Sequence, residues 1–130
     1  YATHDHPPLR SQWQNLCQQA PHDDTARTTL THWCHYAGIP SDPLPADWSL
    51  EVHQSLLAAL FHSNSMLAAY SINDFFATED RFNIPGSVGS TNWTSRLAVP
   101  IKDWNKKWHL EIGLIRSTIK HSLRNANSEG

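Results

Sequence analysis

Prolines set the places where this chain can form helices. Pro7 and Pro8 exclude a helix there and force an extended loop, because a proline lacks an N–H and restricts the residue before it. Apolar residues then recur at helical spacing and predict a helix over about residues 8–20, which Pro21 ends. The residues on its apolar face are Leu9, Trp13, Leu16, Cys17 and Ala20.

A second helix should follow, because Asp23 and Asp24 place negative charge where the helix dipole favours it. Gly38 is a plausible residue for the position just past its end. Its apolar face comprises Ala26, Leu30, Trp33, Cys34 and Ala37. Residues 39–46 contain three prolines and should form a loop.

Asp47 or Ser49 should cap a third helix, which polar residues 62–65 end. Its apolar residues are Leu50, Leu56, Leu57, Leu60 and Phe61. The short apolar run 66–72 then predicts one buried strand, followed by a helical turn over 73–77.

Residues 78–100 are rich in Gly, Pro, Asn and Ser and are too irregular for a simple connector, which is typical of a functional or disordered loop. A C-terminal amphipathic helix should follow, with Trp108, Ile112, Ile115, Ile119 and Leu123 on its apolar face.

The order of these elements predicts an α/β fold. Residues 1–3 could end one strand, so the pattern amounts to about two βα units, or a quarter of a (β/α)8 barrel. A complete barrel needs about 250 residues, and this chain has 130. We expect one domain over residues 1–124, helix-dominated in isolation, and a frayed tail over 125–130.

Charge and composition narrow the classes of partner. The formal net charge of -2 argues against nucleic acid and against an anionic membrane as partners. No apolar run approaches the roughly 20 residues of a spanning helix. Two cysteines, Cys17 and Cys34, make no disulfide framework. Free thiols favour a reducing compartment, and we expect a cytoplasmic location.

Nine histidines raise the alternative of a metal site. His4 and His6 form one pair, and His32 and His35 lie one helical turn apart beside Cys34. Neither group supplies three or four ligands at structural-zinc spacing, so we expect no metal. Most of the six tryptophans should pack the core rather than stack on sugars.

Three stretches carry a resemblance when taken together and in order. They are Tyr1-Ala2-Thr3-His4-Asp5, then Arg81-Phe82-Asn83-Ile84-Pro85-Gly86, then Asn92-Trp93 with Arg96. The combination resembles the C-terminal part of an amylomaltase, a 4-α-glucanotransferase of glycoside hydrolase family 77. The resemblance covers roughly residues 1–97, although residues 21–47 match in helical character only.

The resemblance implies a role for the first stretch. It places Thr-His-Asp at the end of barrel strand seven and makes residues 66–72 strand eight. A retaining glycosidase needs a nucleophilic and an acid/base carboxylate about 5 Å apart, and this family adds a third that stabilises the transition state. Asp5 matches that third carboxylate, and His4 matches its partner on the same sugar.

The second stretch implies the substrate contacts. Pro85 and Gly86 should fix a turn, and the resemblance makes Asn83 and Gly86 contacts of the donor subsite. Asp74 also matches a family position. We expect Asp74 to have a structural, hydrogen-bonding role, and contact with the sugar is the alternative. His6-Pro7-Pro8 departs from the Asn-Asp-Thr of many members, which leaves any sugar contact at position 6 unassigned.

The resemblance predicts transfer of α-1,4-glucan segments between maltodextrins, without a cofactor. The expected partners are glucan donor and acceptor and the remainder of the same catalytic domain, since no segment here matches the family's nucleophile or acid/base. The chain alone should be inactive, and it could pair with a second copy through the exposed edge of 66–72. A non-catalytic helical carbohydrate-binding or interaction module is the alternative.

Overall fold

The computed structural model describes residues 6–86, 92, 94 and 96–122, and regular structure in those residues is helical throughout. The helices are α1 (Leu9–Gln19), α2 (Asp24–Ala37), α3 (Leu50–Phe61), α4 (Ile72–Phe75), α5 (Trp104–Lys107) and α6 (His109–His121), with a 3₁₀ turn at Ile101–Asp103 before α5. The prediction of a helix-dominated chain is confirmed over this part. None of these helices is long and apolar enough to cross a membrane.

Helices α1 and α2 begin and end close to where proline and glycine predicted. Helix α1 starts directly after Pro8 and stops before Pro21. At the start of α2, the Asp23 carboxylate accepts hydrogen bonds from two backbone amides, one of them 2.8 Å away. At its end, Gly38 adopts a φ of 66°, a left-handed conformation that glycine takes without a steric penalty.

Of the two caps predicted for α3, the structure uses Ser49. Its hydroxyl oxygen accepts from the Val52 N–H at 3.2 Å. Asp47 acts just before the helix instead, where its carboxylate accepts from the Trp48 N–H at 2.7 Å. The Asp47 carbonyl accepts from the Trp13 indole at 3.2 Å, which joins this loop to α1.

The core lies where α1, α2 and α3 pack together. Its fully buried members come from all three predicted apolar faces: Leu9, Trp13, Leu30, Cys34 and Leu56. The rings of Trp13 and Trp33 lie 6.3 Å apart across α1 and α2. Burial raises the pKa of Cys17 to about 11 and also raises that of Cys34, so both thiols stay protonated at neutral pH.

The buried strand predicted over 66–72 is wrong. Met66 and Leu67 are 101% and 83% exposed. Ser71 caps α4 by accepting from the Asp74 N–H at 3.1 Å, and Ile72 is the first residue of that helix. The physical reason is that a buried strand needs a neighbouring strand to hydrogen-bond its backbone N–H and C=O groups. No described segment forms such a ladder with residues 66–72. Whether the chain forms part of a barrel stays a prediction.

The buried face of α6 also differs from the prediction. Leu114 and Thr118 are buried, whereas Ile119 is 38% exposed. Ile112 and Ile115 are half-buried and line a groove against α4 and α5, and Leu123 lies outside the described residues. Helix α6 packs against α3, so its neighbour, rather than its own apolar stripe, sets the face that it buries.

Candidate functional site

The first predicted segment, with His4 and Asp5, lies outside the described residues. So does Trp93, whereas His6 is described and exposed. The predicted contacts of His4 and Asp5 with the same sugar therefore stay predictions. What the structure does describe is the anchoring of the chain that follows them.

The second predicted segment forms a turn. Gly86 has a φ of 75°, which favours glycine, so the turn predicted at Pro85-Gly86 is confirmed. The Ile84 N–H donates to the Asn92 side-chain oxygen at 3.1 Å. The structure thus brings together two of the three stretches that carry the resemblance. Asn83, at the start of this turn, is half-buried, whereas the next residue, Ile84, is exposed.

Asp74 is 2% exposed, and its carboxylate, N–H and carbonyl each form a hydrogen bond within the chain. One carboxylate oxygen accepts from the Leu9 N–H at 2.8 Å, which places the negative side chain at the start of α1. Its carbonyl accepts from the His53 ring at 2.8 Å. A direct contact between Asp74 and a sugar stays a prediction.

Sequence reasoning missed His53, which is 1% exposed in α3. Burial lowers the pKa of His53, and this outweighs the raising effect of the hydrogen bond to the Asp74 carbonyl. The neutral ring must carry its proton on Nε2 in order to donate to that carbonyl. His53 lies three and four residues before Leu56 and Leu57, so helical spacing could have placed it on the buried face.

Further contacts attach α1 to the chain that leads toward Asn83. Arg10 forms an ion pair with Glu79 at 3.1 Å and donates to the Ala77 carbonyl at 3.3 Å. Asn73, also missed from the sequence, donates to the Asp80 carbonyl at 2.6 Å. These contacts hold the start of α1 and residues 77–80 against the same short helix, α4.

An apolar groove of about 450 Å³ lies between α4, α5 and α6. Its lining includes Ile72, Phe75, Ile101, Trp104, Ile112 and Ile115. Phe76 also lines the groove, and its ring stacks on that of Trp108 with the centroids 4.1 Å apart. The Trp104 indole donates to the Val99 carbonyl at 3.0 Å, so this side chain packs the fold as predicted for most tryptophans.

The described residues contain no group of three or more His, Cys, Asp or Glu side chains that could hold a metal. His32 and His35 are both exposed on α2, while Cys34 between them is buried. The pair and the thiol therefore do not face a common point.

Comparison with protein-family models identifies a known family. A protein-family model described as 4-alpha-glucanotransferase, of glycoside hydrolase family 77, matches residues 1–102. The matched range includes the Thr-His-Asp segment, Asp74 and the turn at Asn83. No curated protein and no solved structure shows significant similarity to the chain.

Proposed function

The chain belongs to glycoside hydrolase family 77, the 4-alpha-glucanotransferases, and we propose that it supplies part of the active site of such an enzyme. The reaction is transfer of an α-1,4-glucan segment from one maltodextrin to the 4-hydroxyl of another. It proceeds by a retaining double displacement through a covalent glycosyl-enzyme. The family match, which spans all three stretches that carry the resemblance, is the observation that supports this proposal.

Asp5 is the transition-state stabiliser in this proposal. Its carboxylate binds hydroxyls of the sugar at the cleavage point, where hydrogen bonds that strengthen in the oxocarbenium-like transition state lower the barrier. His4 binds the same sugar. The nucleophile and the acid/base carboxylate come from the remainder of the same catalytic domain, because no segment of this chain resembles either.

Asn83 and Gly86 are the donor-subsite residues. The turn at Gly86 and the bond from Ile84 to Asn92 support this assignment, since a fixed turn holds an amide side chain in one place. Asp74 is the third substrate-side candidate. Its burial and its bond to Leu9 favour a role behind the sugar-contacting surface.

Exposed apolar residues and the apolar groove support an interaction with a further partner, the remainder of the same catalytic domain. Met66 and Leu67 are exposed, and Ile101 is exposed at the groove between α4, α5 and α6. A contiguous apolar surface, such as that of this groove, often marks an interaction site. Maltodextrin donor and acceptor would then bind where the two parts meet.

The test compares the 130-residue chain with a complete catalytic domain that contains it. We expect the domain to release glucose from maltotriose and the isolated chain to release none. Asp24→Asn, an exposed change on α2, serves as the control for Asp5→Asn. If the complete domain has no activity but the chain binds maltoheptaose, the non-catalytic carbohydrate-binding function replaces this one.

A further inference from the structure

We propose that Asp74 is a positioning residue for the segment that carries Asp5, an inference that rests on the proposed function. Pro8 precedes α1 and provides no side-chain cap, whereas α2 and α3 are capped by their own residues Asp23 and Ser49. The Leu9 N–H at the start of α1 is bound instead by Asp74, 65 residues away, at 2.8 Å. A long-range bond thus replaces the local cap.

Asp74 is itself held in place from two sides. Its N–H donates to the Ser71 hydroxyl at 3.1 Å, and its carbonyl accepts from His53 at 2.8 Å. A buried carboxylate is costly unless it is hydrogen-bonded. The bond to Leu9 provides such a hydrogen bond, in a site where residues of α1, α3 and α4 meet.

The consequence for Asp5 follows from chain geometry. Leu9 is four residues after Asp5, and four residues span at most about 14 Å. Pro7 and Pro8 remove much of the backbone freedom between them. An anchor on the Leu9 N–H therefore restricts the volume that the Asp5 carboxylate can reach.

The same residue also relates Asp5 to the donor-subsite turn. Asn73, next to Asp74, binds the Asp80 carbonyl at 2.6 Å, three residues before Asn83. Arg10, next to Leu9, donates to the Ala77 carbonyl. Asp74 and Asn73 thus join the start of α1, four residues after Asp5, to the chain that leads to Asn83.

The test is NMR on the intact 130-residue chain, with no dependence on catalysis. Asp74→Ala removes the acceptor, and Asp74→Asn keeps a side-chain oxygen for the Leu9 N–H if the first variant does not fold. Leu114→Ala, on α6, is the control for general loss of stability. We measure hydrogen exchange at the Leu9 amide and the ¹⁵N relaxation of the His4 and Asp5 amides.

We expect exchange at Leu9 to rise about ten- to a hundredfold in Asp74→Ala beyond the rise in Leu114→Ala, the factor that a charged hydrogen bond carries. The relaxation should show increased motion at Asp5, with an intermediate response in Asp74→Asn. A purely structural role predicts the same relaxation at Asp5 in Asp74→Ala and Leu114→Ala, and that result would overturn the proposal.

A second experiment removes the donor and leaves Asp74 intact. A synthetic peptide of residues 1–16 can be ligated to the rest of the chain at Cys17, with an ester in place of the Leu9 N–H. We expect the ester to reproduce the motion at Asp5 seen with Asp74→Ala. A chain that carries both the ester and Asp74→Ala should show no further increase in that motion. Additive effects would refute the coupling. Full activity of Asp5→Asn would instead refute the proposed function while these NMR results stood.

Discussion

Stability should fall as the pH falls below about 6.5, the ordinary pKa of histidine in an unfolded chain. His53 is buried, and its burial lowers its pKa in the folded state. The unfolded chain therefore takes up a proton at a higher pH than the folded chain does. The contribution of His53 to stability is present above the unfolded pKa and is lost as the pH falls toward the folded pKa.

The size of this pH dependence follows from the uptake of one proton by His53. A single group that is protonated only in the unfolded state changes the free energy of unfolding by at most about 1.4 kcal/mol per pH unit. Protonated His53 would have to remain in the same buried site. There the ring donates to the Asp74 carbonyl 2.8 Å away, and its centroid lies 5.3 Å from that of the Trp48 ring. The slope is at most about half of that limit at the unfolded pKa, and it rises below that pH until the folded chain also takes up the proton.

The assay is urea unfolding of the chain at half-unit intervals from pH 5 to pH 8. His53→Gln keeps a donor but does not titrate, so its slope between pH 5 and 6.5 should be smaller than that of the unsubstituted chain by up to about 1 kcal/mol per pH unit. His32→Gln, which changes an exposed histidine, is the control. Equal slopes for the two variants would refute the reasoning. Asp47 and Glu51 have little effect in this window, because hydrogen bonds lower the pKa of both in the folded chain, so their contribution is lost mainly below about pH 5, as the pH falls through their unfolded pKa values of about 4.

Two further predictions concern the helical core. Leu56→Ala should lower the free energy of unfolding by about 2–5 kcal/mol, because Leu56 is fully buried between α1, α2 and α3; Tyr36→Ala, at an exposed position, is the control, and an equal loss would contradict the packing. Ser49→Ala should cost about 1 kcal/mol through loss of the α3 cap, whereas Ser55→Ala inside the same helix should not be destabilising by that amount; thermal unfolding distinguishes the two.

Sequence reasoning predicted the first three helices well because their limits are local. Pro21 stops α1, Asp23 caps α2 and Gly38 ends it, and each acts within a few residues of its own position. The apolar faces of these helices meet one another, so periodicity alone was enough to identify Trp13 and Leu30 as core.

The same reasoning failed where the outcome depends on a distant neighbour. Residues 66–72 have the composition of a buried strand, but strand formation needs a paired segment, and the described residues leave Met66 exposed. For α6, contact with α3 buries Leu114 and Thr118 and leaves Ile119 exposed. Neither result can be read from the local pattern.

The candidate site shows the same limit. Pro85 and Gly86 predicted a turn from their own conformational preferences, and the structure has it. The bond from Asp74 to Leu9 spans 65 residues, so no local spacing indicates it. His53 could have been placed on the buried face of α3, but its partner could not.

The most direct test of the central claim is glucose release from maltotriose by a complete catalytic domain that contains this chain. We predict that Asp5→Asn lowers kcat by roughly 10²–10³-fold or more and changes KM much less, since the lost contacts form mainly in the transition state. The 130-residue chain alone should release no glucose. Near-normal turnover by the Asp5→Asn domain, or glucose release by the isolated chain that Asp5→Asn abolishes, would contradict the account.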